Sequence, residues 1–355
     1  MANGGPDIDC DAIAILCGEN GKTMESMSFE HLKYSIGVLM YVPALNKKIA
    51  AELCERKYPH LSSIVFCFED SILDRGLEEA EETFSASLDY ISSNLNKNTA
   101  VSLSLPKIFA RVRSVEQFHR IRRLVEPHAE LVTGFVIPKY TPKCAKLYER
   151  EIHAMNSGRK KPLYVMPTLE SAEFIYKENR LESLLEIKKR IDEISPYVLN
   201  VRVGGNDFCA LFGLRRHVSQ TIYDIAVVRD ALSDILNVFS RDYVVSGPVW
   251  EYFANDSGEE QLWKKGLQRE LELDRLNGFI GKTAIHPSQL PVIANAMKVK
   301  SSDYEDALQI LNWNDSTLGV VKSASREHRL NEVKVHATWA RKILSLAEIY
   351  GVSYD

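Results

Sequence analysis

Short runs of apolar, β-branched and aromatic residues recur along the chain, each followed by a longer stretch with apolar positions at helical spacing. The runs are Val38–Pro43, Ile64–Phe68, Ile108–Val112, Gly134–Pro138, Leu163–Pro167, Leu199–Val203, Tyr243–Ser246 and Lys282–Ile285. They are nearly continuous in hydrophobicity rather than alternating, as expected of strands buried on both faces. Between them, Glu78–Asn94 and Glu182–Ile194 show the clearest amphipathic periodicity. Strand alternating with helix predicts parallel pairing through right-handed crossovers. Eight such units over about 250 residues match a (β/α)8 TIM barrel in size. A doubly wound open sheet is the alternative for the same pattern.

Two flanks fall outside the repeating unit. The expected organisation is an N-terminal cap segment over residues 1–36, a barrel domain over 37–290 and a helical C-terminal extension over 291–355. The extension is interrupted near 312–316 and ends in a helix over Asn331–Tyr350, with Gly351 as its stop. Val333, Ala337, Ala340, Leu344 and Ala347 share one face of that helix. An apolar face of this kind is expected to pack on the barrel or on a neighbouring subunit.

Composition narrows the functional classes. The 355 residues carry 44 Lys+Arg against 48 Asp+Glu, a formal charge of −4, and such mild acidity argues against a dedicated nucleic-acid binder. No apolar run approaches the roughly 18 residues of a membrane span. Six scattered cysteines, with no Cys-x-x-Cys pair and no basic-then-apolar leader, read as reduced thiols in a cytoplasmic protein. Gly18–Thr23 looks like a phosphate loop, but Leu16 stands where its first glycine is needed and no strand precedes it. Arg215, Arg216 and His217 form either a site for an anionic tail or a solvated loop.

A barrel places its active site at the C-terminal ends of its strands. The residues standing there are Glu69 and Asp70, Arg111 with Arg113, Lys139, Glu170, Asn206 and Asp207, Glu251 and His286. Helix capping accounts for some of these acids, but not for an arginine after the third strand. Glu170 and Asp207, on adjacent strand ends, suit a Mg²⁺ ion that takes the rest of its shell from water and substrate. The alternative is a helix cap for Asp207 and a lysine partner for Glu170. Arg111 is suited to a carboxylate or a developing enolate oxygen, or else to a rim salt bridge with Glu69 or Glu251. Strand alternation puts Arg113 on the same face as Arg111. His286 precedes a proline and could simply order the turn.

These segments, in this order, resemble citrate lyase beta-subunit and malyl-CoA lyase-like enzymes, the HpcH/HpaI aldolase–citrate lyase family, in a divergent C–C bond lyase branch. The resemblance is carried by Val38–Ala44, Phe68-Glu-Asp70, Arg111-Val-Arg113, Val136–Lys139, Glu170, Gly204-Gly-Asn-Asp207 and, most specifically, Gly278–Pro287. It implies a TIM barrel, Mg²⁺ on Glu170 and Asp207, and substrate on Arg111. It also implies metal waters or proton relay at Glu69 and Asp70, with Lys139 and His286 supporting the site. The implied reaction is reversible cleavage of a carbon–carbon bond through the enolate of a small 2-oxo acid. The same chemistry could run as a synthase. A catalytically silent barrel binding a metabolite or partner enzyme is the alternative of another class, and a homo-oligomer, trimer or hexamer, is implied as well.

The sequence departs from the family pattern at three places: Cys67 and Asn206 replace acids, and Arg113 replaces an asparagine. Fewer acids and an added cation point to a small, more anionic substrate, such as a phosphorylated one, and away from a coenzyme A thioester.

Overall fold

The computed structural model describes residues 28–95, 105–254, 260–314, 317–323 and 329–354. The phosphate-loop-like Gly18–Thr23, most of the expected cap segment, Cys10 and Cys17 lie outside them. The chain forms two compact units, one spanning Ile36–Ala296 and the other combining the N-terminal residues to Ser35 with Met297 onward.

The larger unit is a parallel barrel. Its strands are β1 (Val38–Pro43), β2 (Ser63–Cys67), β3 (Lys107–Arg111), β4 (Val132–Ile137), β5 (Tyr164–Leu169), β6 (Val201–Val203), β7 (Val245–Ser246) and β8 (Lys282–Ala284). Each pairs with its neighbour in sequence from β1 to β7, and β8 pairs with β1. The barrel closes between β7 and β8, where Gly247 N–H donates to Gly281 O and Ile280 N–H to Val245 O. The predicted runs and these strands coincide to within about two residues, because an unbroken apolar run has few other ways to satisfy burial on both faces. Strands β2 and β4 are buried along their whole length. Helices such as Leu77–Leu95 and Arg180–Glu193 bury one stripe against the sheet. The helix Leu290–Ala296 stays with this unit.

A closed ionic cluster ties β8 to the helix Glu260–Asn277. Lys282 Nζ, wholly buried, contacts Glu270 Oε1 and Asp274 Oδ2, each at 2.7 Å. Arg216 Nη1 lies 3.1 Å from Glu270 Oε2, and its guanidinium sits 5.0 Å from the Trp250 ring centre. Tyr223 donates its hydroxyl to Asp274 Oδ1 at 2.6 Å, and Ile222 N–H donates to Glu270 Oε2 at 2.8 Å.

In the smaller unit, the helix Val333–Tyr350 stops at Gly351, whose φ of 78° suits glycine. Its Ala340 packs against Ala307 and Ile310 of the helix Ser301–Leu311, with Trp339 and Leu344 alongside. Part of the apolar face of Val333–Tyr350 is thus covered within the extension itself. Helix Ser301–Leu311 precedes it in the same extension and brings small and branched side chains that fit the alanine stripe. No helix among the described residues is long and apolar enough to cross a membrane.

Candidate active site

A cavity of about 370 Å³ opens at the C-terminal ends of the strands. Arg111 from β3, Glu170 just after β5, Asp207 after β6 and Asp70 after β2 line it. Arg111 is the hub. Its Nη2 lies 2.7 Å from Glu69 Oε2 and 3.3 Å from Glu170 Oε1, and its Nη1 lies 3.4 Å from Asp70 Oδ2. Its guanidinium also stands 5.7 Å from the Tyr41 ring centre. Burial alone would weaken its hold on the proton, but Glu170 and the other neighbouring anions more than offset that. A desolvated guanidinium held by three carboxylates is a fixed positive charge.

Lys139 ties two of these acids together. It adopts φ of 47°, a left-handed backbone that few side chains accept. In that turn its N–H donates to Glu170 Oε1 at 2.9 Å, while its Nζ reaches Glu69 Oε1 at 2.6 Å. Glu69 and Lys139 stand behind the wall and do not line the cavity.

Glu170 Oε1 is thus occupied by Lys139 and Arg111, and Oε2 turns the other way. Glu170 Oε2 and Asp207 Oδ2 lie 2.7 and 2.9 Å from the point where a Cβ on Gly204 would sit. A side chain at 204 would collide with Glu170, whose Cβ lies 2.3 Å from that point, so glycine here is what lets the two carboxylates approach one another. Burial pushes the Glu170 carboxyl up to about 7, against the pull of Arg111, and Asp207 adds to the rise. Burial raises Asp207 as well. Two buried acids that resist ionising side by side are a cation site in waiting. Among the described residues no three His, Cys, Asp or Glu cluster tightly enough to hold a metal alone. Magnesium needs only one or two carboxylates, water and substrate completing its shell, so the donor set fits that ion and not a histidine- or thiolate-bound one.

Glu69 and Asp70 diverge. Burial raises the Glu69 carboxyl. For Asp70 burial acts in the same sense, but its hydrogen bond with Glu69 and the charges of Arg111 and Lys139 bring it below the usual range.

Besides Glu69 and Lys139, the sequence-expected Arg113, His286 and Glu251 do not line the cavity. Arg113 donates from Nε to Phe68 O at 2.9 Å, from Nη2 to Ile72 O, and pairs with Asp74. Strand β3 ends at Arg111, so the alternation that would have aligned Arg113 with it no longer applies. Arg113 instead fastens the loop after β2. His286 stacks on Phe253 at 4.6 Å and shares a hydrogen bond with Ser288 Oγ at 2.9 Å, ordering the turn before Pro287. Glu251 pairs with the exposed Arg215, whereas Arg216 belongs to the buried cluster. Cys67 lines the cavity, its Sγ 3.9 Å from Arg111 Nη1.

One charged cavity residue escaped the sequence reading. Arg202, in the middle of β6, is 3% exposed and lies in the cavity with Thr283, to which its Nη2 donates. The available signal was a charged residue between Val201 and Val203 in an otherwise apolar strand.

The family model described as C–C bond lyase of the TIM-barrel fold matches residues 30–352. Among solved structures, the chain is similar to a citrate lyase from Burkholderia xenovorans LB400, with a TM-score of 0.65 at 16% identity over 90% of this chain and 94% of that one. It is also similar to the protein CitE from Mycobacterium tuberculosis in complex with magnesium, acetoacetate and coenzyme A. There the TM-score is 0.56 at 17% identity, over 89% of this chain and 99% of that one. A comparison with curated protein sequences gave no match. At these identities the structural likeness speaks for the fold.

Proposed function

The chain belongs to the family of C–C bond lyases of the TIM-barrel fold, and from that premise we propose that it breaks or forms a carbon–carbon bond through the enolate of a small 2-oxo acid, with Mg²⁺ held by Glu170 and Asp207. The observation that carries this reading is the pair of buried carboxylate oxygens converging beside Gly204, within reach of Arg111. The magnesium present with the Mycobacterium tuberculosis CitE agrees with that donor set.

When bound, the ion would act as a Lewis acid toward the carbonyl of the substrate. The chain's own residues do the rest. Glu170, just after β5, and Asp207, in the first turn of the helix Gly205–Leu211, would hold the ion. Arg111, desolvated and pinned by Glu69, offers donors to the negative charge that grows on the enolate oxygen, where low polarity strengthens the attraction. Asp70, at the wall, exchanges a proton with the substrate carbon. Glu69 behind it, with its higher proton affinity, serves as the reservoir, the division of labour expected when neighbouring carboxyls are pushed apart. Lys139 keeps both acids oriented. The condensing direction uses the same groups, and product analysis at equilibrium separates the two.

The test is deuterium exchange into the methyl group of pyruvate, followed by NMR in D₂O, with calorimetric Mg²⁺ titration alongside. Wild type should exchange only with Mg²⁺, and Asp207→Ala should lose at least about 100-fold in rate together with cation binding, at nearly unchanged melting temperature. Exchange that persists in Asp207→Ala without metal would overturn the proposal.

A further inference from the structure

We propose that Arg202 forms a second anion subsite at the floor of the cavity, so that the substrate is a 2-oxo acid carrying a further compact anionic group, carboxylate or phosphate, at its far end. This rests on the enolate reading above, and it names what that reading leaves open.

The argument begins with a contrast between two arginines. Arg111 meets three carboxylates. Arg202 has no carboxylate within ion-pairing distance among the described residues, although it is the more deeply buried charge. Its Nη2 is used by Thr283 Oγ1, while Nη1 is buried without any acceptor. Guanidinium does not shed its proton in a protein, so Arg202 is a desolvated cation with no carboxylate paired to it, helped only by the Tyr41 hydroxyl and the more distant charge of Glu170. Such a charge is costly unless something balances it more fully.

Its surroundings show where the balancing group belongs. Thr168 stands directly across from Arg202 in the β5–β6 register, on the same side of the sheet. Thr168 Oγ1 is likewise buried with no partner, and both residues line the cavity. An unused guanidinium N–H and an unused hydroxyl, side by side, are the donors a carboxylate or phosphate oxygen accepts from. Tyr41, buried beside both arginines, closes the space from β1. Arg111, Glu170, Asp207 and Arg202 line the same cavity of about 370 Å³, so one small molecule can meet the two acids at one end and Arg202 at the other.

The experiment compares pyruvate, oxaloacetate and phosphonopyruvate by calorimetry with Mg²⁺, on wild type, Arg202→Met and Arg202→Lys. Wild type should bind at least one of the two doubly anionic acids tenfold or more tighter than pyruvate. That ratio should collapse toward one in Arg202→Met and recover in part in Arg202→Lys. Whichever acid shows the Arg202-dependent gain identifies the group. Malonate and inorganic phosphate are titrated without metal on wild type, Arg202→Met and Asp207→Asn as well. Binding lost only with Arg202 supports the subsite even if no 2-oxo acid binds, an outcome that sinks the enolate reading alone. Equal affinities for pyruvate and both dianions, with no Arg202-dependent binding of malonate or phosphate, overturn the subsite. Melting curves identify a variant that fails to fold, in which case Arg202→Lys carries the comparison.

Discussion

Two ionic clusters sit about the same barrel, and they are built on opposite plans. Around Lys282 the charges balance: two cations, Lys282 and Arg216, meet two acids, Glu270 and Asp274, with remaining lone pairs taken by Tyr223 and Ile222 N–H. Around Arg111 they do not. Among the described residues, Glu69, Asp70 and Glu170 find ion pairs only with Arg111 and Lys139 and Asp207 finds none, and the surplus negative charge opens on a cavity. The first cluster is complete in itself and serves the fold. The second is left short by two positive charges, which is what a divalent ion brings. With that ion bound and Arg202 counted, positive charge exceeds negative by one, an environment that attracts an anionic substrate.

The comparison breaks most visibly if Lys282→Met is harmless. Removing it strands Asp274 in a dry interior and leaves Glu270 to Arg216 alone, so a loss of about 3–5 kcal/mol in urea unfolding is expected. Replacing Asp274 with Asn in the same variant should restore much of it.

The open cluster should behave in the reverse sense. Because burial pushes Glu170 up to about 7, the folded chain below that pH keeps a proton that the unfolded chain has released. Stability therefore falls as pH rises from the ordinary carboxylate range to about 7. Metal-free Glu170→Gln should then be more stable than wild type at about pH 8, by up to roughly 2 kcal/mol, and lose that gain near about pH 4. Over the same window Mg²⁺ binding by wild type should tighten. A gain independent of pH would show that Glu170 is not the strained acid.

Arg113→Ala sharpens the boundary of the open cluster. It should cost about 1–2 kcal/mol by loosening the loop after β2 and slow turnover by misplacing Asp70, with 2-oxo acid affinity hardly altered. If affinity instead falls as far as in Arg111→Ala, Arg113 reaches the substrate after all. The smallest effect is expected at His286, outside both clusters: His286→Ala should cost about 1 kcal/mol as a lost cap. It should leave Mg²⁺ affinity, read by calorimetry, within about twofold.

Much of this was legible from residue order alone, for definite reasons. The barrel strands read clearly because continuous apolar runs separated by amphipathic stretches admit few architectures. Arg111, Glu170, Asp207 and Asp70 line one cavity because strand ends in a barrel converge. Arg113 turns to the loop after β2 because alternation does not extend two residues past Arg111, where the strand stops. Arg202 was overlooked because a strand flanked by Val201 and Val203 reads as core, and only the closed barrel reveals that its inward face meets Thr283 across the interior. Lys282 lies in the most specific motif of the chain, yet that motif's lysine faces the Glu260–Asn277 helix and not the cavity. Sequence spacing cannot tell those two sides apart without the register.

The left-handed turn at Lys139 has an implication for how this site can be tuned. One residue holds the acid after β5 by its main chain and the acid after β2 by its side chain. The main-chain grip depends on backbone shape and is indifferent to residue charge, whereas the side-chain grip depends on the ammonium. The position therefore works as two independent adjusters on a common mount. Glycine would keep the geometry of the ion site and release only the proton relay, while a β-branched residue would disturb both.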